Sequence, residues 1–293
     1  MIALFGDVDA ERRLHAVRAV VAGWSVLWLV VRLPHHVGLA DLPDRRWYPV
    51  GILAPLDRPP AAWLAGAVIA IAIGSGVAAA AGWRPRATVP VWAAALLLVG
   101  TYVSCWGQLF HTENLLVLHA LVLAGWMLAR RPVDTRTVLA ALVVVLVAAY
   151  VVAGIAKLRG SGWAWFEGDI LRNKVAFDNL RKAVLGSSTS PLASGAVGAD
   201  WLWPPLAALT IVVELGAPVV LLGRRWAAGW IAAAWAFHAG ILVLMAIAFP
   251  YQLVGVAYAP LLPLERIRLP WSRGAGMAMS SVENHRQPSK SPG

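Results

Sequence analysis

The chain has 293 residues, of which 59% are hydrophobic and only 14% are charged, and its mean hydropathy is +0.67. This composition excludes an ordinary soluble domain and is typical of a polytopic membrane protein. The formal net charge is +10, but the basic residues lie at the edges of apolar runs, which argues against a nucleic-acid partner. The single cysteine, Cys105, excludes an intramolecular disulfide and a cysteine-based metal motif.

Eight apolar runs approach the roughly 20 residues that a helix needs to cross a bilayer. They lie near residues 16–34, 61–82, 88–109, 113–129, 137–158, 202–222, 227–249 and 251–264. The last is short and contains Pro260 and Pro263. The sequence therefore predicts an all-α, polytopic membrane bundle of about eight transmembrane helices, with seven to nine possible. We expect one transmembrane domain over residues 1–271 and a disordered cytoplasmic tail at 272–293.

The arginines of the short loops predict the orientation of the bundle. The loops after the second, fourth and sixth runs each carry two or three arginines, whereas those near 110–113 and 249–251 carry no lysine or arginine. By the positive-inside rule, the N-terminus is cytoplasmic, and an even number of spans returns the C-terminus to the same side. We expect a multi-pass protein of the plasma (inner) membrane, in contact with membrane lipid, with long extracytoplasmic loops at 35–60 and 159–200.

The second long loop contains a helical pattern. Between residues 169 and 185, Ile170, Phe177, Leu180 and Val184 recur on one face, which predicts a helix at the membrane interface. The first long loop is rich in proline and aromatic residues, and this pattern favours an interfacial connector over an ordered cap.

Lys157 is the most informative residue for function, because it lies inside a hydrophobic run. A charged amine at membrane depth costs ~3 kcal/mol on insertion scales, so such residues usually line a cavity or a pathway. The alternative is snorkelling, in which the four-carbon stem lifts the ammonium to the lipid headgroups. In a closed apolar pocket, by contrast, a neutral amine can act as a general base or a nucleophile.

Other ionisable residues also fall within or beside the apolar runs: His111, Glu113, His119, Glu214 and His238. In the predicted topology His111 and Lys157 share one depth near the extracytoplasmic face. His111 and His119 are about 80° apart around a helix, which disfavours a zinc site, so we expect no metal. Glu214 is predicted either to be neutral or to pair with His238 or an arginine. A buried carboxyl that joins two helices is an equally good interpretation.

Four short motifs, in the same order over about residues 100–260, resemble the membrane module of vitamin K-dependent γ-glutamyl carboxylase, the horizontally transferred transmembrane (HTTM) domain. They are Phe110-His-Thr-Glu-Asn-Leu115, Ala153-Gly-Ile-Ala-Lys-Leu158 with Trp163 and Glu167-Gly168, Glu214-Leu-Gly-Ala-Pro218, and Phe237-His-Ala-Gly-Ile241 with 245–249. The second is similar to the segment that carries the family's catalytic lysine. The first is similar to the segment with a functional histidine.

The resemblance implies a membrane-embedded carboxylase or quinol epoxidase, a lyase or an oxidoreductase. The cofactor would be a reduced, lipophilic quinone resembling vitamin K or menaquinol, with oxygen as co-substrate. Carbon dioxide would be a further co-substrate if carboxylation of a secreted peptide or protein is retained. Lys157 would be the base that deprotonates the quinol, and His111 would stabilise developing charge. The implied quinone cavity would include Glu113, Asn114, His119, Trp163, Glu214 and His238. Such a strongly basic reaction needs the exclusion of water that a membrane bundle provides.

The sequence also departs from the family pattern. About two extra residues, within Arg159-Gly-Ser-Gly162, separate the lysine from the tryptophan, and little sequence follows the eighth run. A large extracytoplasmic substrate-binding domain is therefore not expected, which puts peptide carboxylation in doubt. A second hypothesis is a non-enzymatic membrane component for the maturation, export or immunity of a secreted peptide. A transporter would be expected to show paired broken helices and an internal repeat, and the sequence shows neither.

Overall fold

A computed structural model describes residues 9–107 and 112–266. Within these ranges every regular element is an α-helix or a 3-10 helix, and there is no strand. The α-helices are α1 (Ala10–Val31), α2 (Leu33–Gly38), α3 (Ala62–Ala81), α4 (Pro85–Ser104), α5 (Asn114–Leu128), α6 (Thr135–Ser161), α7 (Asp169–Val184), α8 (Ala193–Val197), α9 (Trp203–Leu215), α10 (Arg224–Met245) and α11 (Pro250–Leu253). This confirms the all-α class.

Five helices of the described chain are long and apolar enough to cross a membrane: α1, α3, α4, α6 with the 3-10 turn that follows it, and α10. The predicted count of eight is not reached by this measure. The fourth predicted span is the 15-residue α5. The sixth is divided into α9 and a 3-10 helix, Ala217–Leu222. Pro218 lies in this 3-10 helix, and the backbone hydrogen bond that a proline cannot form destabilises a continuous α-helix there.

The eighth predicted span contains no long helix. Residues 250–261 form α11 and a 3-10 helix, Val256–Leu261, which includes Pro260. A final 3-10 helix, Leu264–Arg266, follows. Its Glu265 forms a two-point ion pair with Arg13 of α1, at 2.8 and 3.0 Å. Because both side chains are well buried, this pair fixes the two ends of the described chain to each other.

The N-terminal part of the bundle consists of α1, α3, α4 and α5, which pack together closely. Gly76 of α3 permits this approach, because a Cβ there would lie 2.8 Å from Val26 Cγ2 and 3.1 Å from Trp92 Cδ1. The fully buried Trp92 donates its indole hydrogen to Ser25 Oγ at 2.9 Å. Ser25 in turn donates to the Ala22 carbonyl at 2.7 Å. The indole of Trp92 and the hydroxyl of Ser25 are therefore satisfied locally.

The helix predicted over residues 169–185 is confirmed as α7, which docks against the C-terminal end of α10. Asn179 donates to the Leu244 carbonyl at 2.9 Å, and Ser190 donates to the Val243 carbonyl at 2.5 Å. Lys182 donates to the carbonyls of Met245 and Ala246. These contacts satisfy carbonyls that a helix end leaves without partners, and the lysine also complements the negative end of the helix dipole.

Candidate functional site

Lys157 lies near the C-terminal end of α6 and forms an ion pair with Glu214 of α9. The distance from Lys157 Nζ to Glu214 Oε1 is 2.5 Å, and the side chains are 24% and 4% exposed, respectively. Glu214 is expected from sequence either to be neutral or to pair with His238 or an arginine, and the structure shows Lys157 as its partner instead. The two helices cross at this point, so only the fold decides which cation the carboxyl meets.

The approach of α9 to α6 depends on Gly154, one helical turn before Lys157. A Cβ at Gly154 would lie 2.7 Å from Leu215 Cδ2 and 3.1 Å from Glu214 Cβ. Any larger residue would therefore push Glu214 away from the amine. Gly154 belongs to the motif around the lysine, and its role becomes visible only when α9 is in place.

The Lys157 amine also faces the ring of Trp165, rather than that of Trp163 as the resemblance implied. Lys157 Nζ is 5.7 Å from the ring centroid, within the range of a cation–π interaction. Trp165 is buried, and its indole donates to the Ala207 carbonyl and to Thr210 Oγ1, both at 3.1 Å. Trp163, which the resemblance implied, is 85% exposed and does not line the cavity described next. The short 3-10 helix Gly162–Glu167 turns the later tryptophan inward.

Lys157 and Trp165 line a cavity of about 870 Å³ between α6, α7, α9 and α10. Two of its walls are built from small residues at helical spacing, Ala153, Ala156 and Gly160 on α6 and Ala233, Ala236 and Gly240 on α10. The N-terminal half of α7 also lines it and contributes a second lysine, Lys174. Most of the remaining lining is apolar. The arrangement resembles a ligand site, with a large apolar volume and few polar groups.

A buried polar cluster lies below the ion pair on the same face of α6. Tyr150 precedes Lys157 by seven residues, about 10 Å along a helix. Its hydroxyl is 2.8 Å from His238 Nε2 and 3.1 Å from the Tyr258 hydroxyl. His238 itself does not line the cavity. Its ring lies 4.8 Å from that of Phe249, which does.

The other residues implied for the quinone cavity lie elsewhere. Glu113 and Asn114 line a separate small cavity of about 50 Å³. His119 is completely buried, and its Nδ1 is 2.7 Å from the Tyr251 hydroxyl. His111 lies outside the described residues. The described chain thus brings Lys157 and Glu214 together, and His238 lies behind Phe249 on the cavity wall. The remaining predicted residues do not line this cavity: Glu113, Asn114 and His119.

Sequence reasoning missed Trp165, Tyr150 and Tyr258. The seven-residue spacing from Tyr150 to Lys157 was a detectable signal, because it places both side chains on one helical face. No comparable pattern identified Trp165 or Tyr258.

Within residues 9–107 and 112–266, no group of three or more His, Cys, Asp or Glu side chains could hold a metal ion. No family model, no curated protein and no solved structure matches this chain.

Proposed function

We propose that this chain is a membrane-embedded enzyme of the HTTM type that uses a reduced, lipophilic quinone and oxygen, with Lys157 as the base. The observation that carries the proposal is the position of the Lys157 amine on the wall of a large apolar cavity, where Glu214 holds it. An amine that only snorkelled to the headgroups would have no need of a buried carboxylate partner.

A reduced quinone fits the residues of this cavity. Its volume of about 870 Å³ lies in the range typical of small-molecule sites. The small residues of α6 and α10 leave an apolar slot between two helices, which suits a lipid-soluble ring and its tail. Bound there, the quinol supplies an acidic hydroxyl group and, with oxygen, the oxidative chemistry. Carbon dioxide is a co-substrate in this proposal only if a secreted peptide or protein is carboxylated.

The residues of the chain then have distinct roles. Lys157 acts as the base in its neutral form, after the proton of the ion pair has left, and Nζ then accepts a proton from a hydroxyl group held in the cavity. Glu214 Oε1, at 2.5 Å from Nζ, stabilises the ammonium that results, as charge-assisted hydrogen bonds do. The face of Trp165 adds a cation–π contribution. The apolar walls keep water from the reacting groups. His111 remains proposed as the group that stabilises developing negative charge.

In the proposed topology the chain crosses the plasma membrane eight times, and both of its termini lie in the cytoplasm. The arginine distribution supports it, and α5, the α9 segment and residues 250–264 complete the count. It is tested with a membrane-impermeant thiol reagent, because the one native cysteine, Cys105, is buried. A cysteine replacing Asp57 should be labelled from outside intact cells, and one replacing Arg131 only after lysis.

The proposed chemistry is tested in liposomes that contain purified protein and menaquinol under oxygen. We expect Lys157→Met to abolish quinol oxidation while the protein stays inserted. Arg159→Met is the matched control, because it removes an exposed cation two residues away on the same helix that does not line the cavity, and we expect it to keep most of the activity.

Loss of Lys157 alone leaves a buried carboxylate without a partner, which can unfold a protein. The double variant Lys157→Met, Glu214→Gln removes both charges and separates loss of folding from loss of chemistry. Full turnover by either variant that lacks Lys157 would contradict the proposal.

A further inference from the structure

Two buried arginines on α1 differ in how their charge is compensated. Arg13 is 2% exposed and forms the ion pair with Glu265 described above. Arg18 is 4% exposed. Within residues 9–107 and 112–266 it makes no hydrogen bond and no ion pair, and its Nε is completely enclosed. A buried guanidinium without a partner is strongly unfavourable, so this side chain needs an explanation that Arg13 does not.

The Arg18 guanidinium lies against the turn between α3 and α4. A Cβ at Gly82 would lie 2.8 Å from one Nη atom of Arg18 and 3.6 Å from its Cζ. Gly82 also has a φ of +75°, in the left-handed region at the end of α3. Glycine is favoured here by its backbone conformation, and its missing side chain leaves room for the guanidinium.

The same turn begins α4 and carries further positive charge. The sequence from Gly82 to Thr88 contains Arg84 and Arg86 and no acidic residue. No side chain caps the first turn of α4, and its first residue is Pro85. In the first turn of α4, Pro85 has no amide hydrogen and the Ala87 amide donates to the Arg84 carbonyl at 2.9 Å, so the Arg86 amide hydrogen and the positive end of the helix dipole are what this N-terminus presents. One turn of chain therefore places a helix N-terminus, two arginines and the unpaired Arg18 guanidinium together.

From this arrangement we propose that Arg18 and the N-terminus of α4 bind a phosphate group. The planar guanidinium fork matches a phosphate with two parallel hydrogen bonds, and amide hydrogens at a helix N-terminus favour the same group. The turn joins two helices that are long and apolar enough to span a membrane, so it lies at the depth of phospholipid headgroups. A phospholipid is the nearest source, and free phosphate has the same chemistry.

The purified full chain in detergent tests the site through its thermal stability. We expect phosphatidylglycerol to raise the melting temperature by roughly 5 °C over a galactolipid with the same acyl chains. In Arg18→Gln this rise should be lost, while the stability without added phospholipid should equal or exceed that of the unsubstituted protein, because an unpaired buried charge has been removed. Arg18→Lys keeps the charge without the fork and should show a reduced rise.

Arg225→Gln is the matched control, since it removes an exposed arginine elsewhere on the chain and should keep the full rise. Inorganic phosphate, compared with chloride at equal ionic strength, identifies the source. If inorganic phosphate reproduces the rise in melting temperature, the ligand is free phosphate. If only phosphatidylglycerol raises the melting temperature, the ligand is a lipid headgroup. The inference is overturned if the unsubstituted protein does not distinguish the two lipids. It is also overturned if Arg18→Gln keeps the full rise, or is less stable than the unsubstituted protein in the galactolipid.

Discussion

The bundle has two regions that differ in packing although both are rich in apolar residues. The first is formed by α1, α3, α4 and α5, and the second by α6, α7, α9 and α10. In the first, α1 and α4 are each half buried, α3 is 22% buried, and a tryptophan donates to a serine inside the core. In the second, α6 is also half buried, but only 17% of α10 is buried, α9 is short, and a large cavity remains between the helices. The large cavity distinguishes the second region, so we treat the first region as the scaffold and the second as the site.

The largest expected effect tests how α7 is attached to the second region. A Cβ at Gly168 would lie 2.4 Å from the Trp203 carbonyl carbon, and Gly168 has a φ of +86°. Backbone atoms cannot move aside cheaply, so we expect Gly168→Ala to cost at least about 3 kcal/mol of unfolding free energy. Chemical unfolding in mild detergent measures it.

Gly186→Ala is the control for that substitution. Gly186 has a φ of +69°, but no atom lies within 4 Å of a Cβ built there. Gly186→Ala should therefore lower the unfolding free energy only by the cost of placing alanine at a positive φ, about 1 kcal/mol. Equal losses in the two variants would show that the contact with Trp203 is unimportant.

The next effect concerns the charge pair that distinguishes the second region. We expect Lys157→Met alone to cost about 3 kcal/mol, because it leaves the buried Glu214 without its counter-charge. Glu214→Gln alone should cost less, because the amine that it leaves behind is 24% exposed. The double variant should recover much of this loss. A double-mutant cycle on unfolding free energies measures the coupling, and strict additivity would mean that the pair does not form in solution.

A pair of matched glycines separates packing from function. Gly76→Ala and Gly154→Ala each place a methyl group within 2.8 Å of a neighbouring side chain, and each should cost about 1–3 kcal/mol. Only Gly154→Ala displaces Glu214, so only this variant should also lower quinol oxidation. If Gly76→Ala lowers activity equally at matched folded fraction, the division into scaffold and site is wrong.

The smallest effect is the response of α7 to pH. Burial alone would raise the pKa of Asp178, but hydrogen bonds from Lys182 and Arg181 outweigh it and hold this pKa below its ordinary value. Because the pKa is lower in the folded state, the stabilisation is complete above pH ~4 and is lost as the pH falls through the folded pKa.

Asp178→Asn should remove this acid-dependent part, up to about 1 kcal/mol, as measured by proteolysis of the α7 segment between pH 3 and pH 6. The exposed Asp57→Asn is the control and should leave the pH profile unchanged. A profile for Asp178→Asn identical to that of the unsubstituted protein would contradict this account.

Much of the helical framework could be predicted because apolar length is a local property. The five long helices and α7 follow from runs of residues and from helical periodicity. The breaks in helical structure within the sixth and eighth runs were not predicted, because hydropathy counts apolar side chains and does not register lost backbone hydrogen bonds. Pro218 and Pro260 interrupt those runs, and short 3-10 helices take their place.

The site was predictable only in its central residue. Lys157 is anomalous in sequence because charge at membrane depth is costly, and this cost does not depend on its neighbours. The partner of Glu214, the exchange of Trp163 for Trp165, and the separation of Glu113, Asn114 and His119 from Lys157 all depend on how distant helices cross.

By itself the sequence determined an all-helical chain with membrane-spanning character and one conspicuous intramembrane lysine, because hydrophobicity and charge are summed along the chain. Only the tertiary structure decided that Lys157 meets Glu214, that a cavity opens beside this pair, and that Arg18 is buried without a partner among residues 9–107 and 112–266. Those features depend on contacts between helices far apart in sequence. The close approach of Glu214 to Gly154 and of Arg18 to Gly82 depends on packing distances that a single methyl group would change.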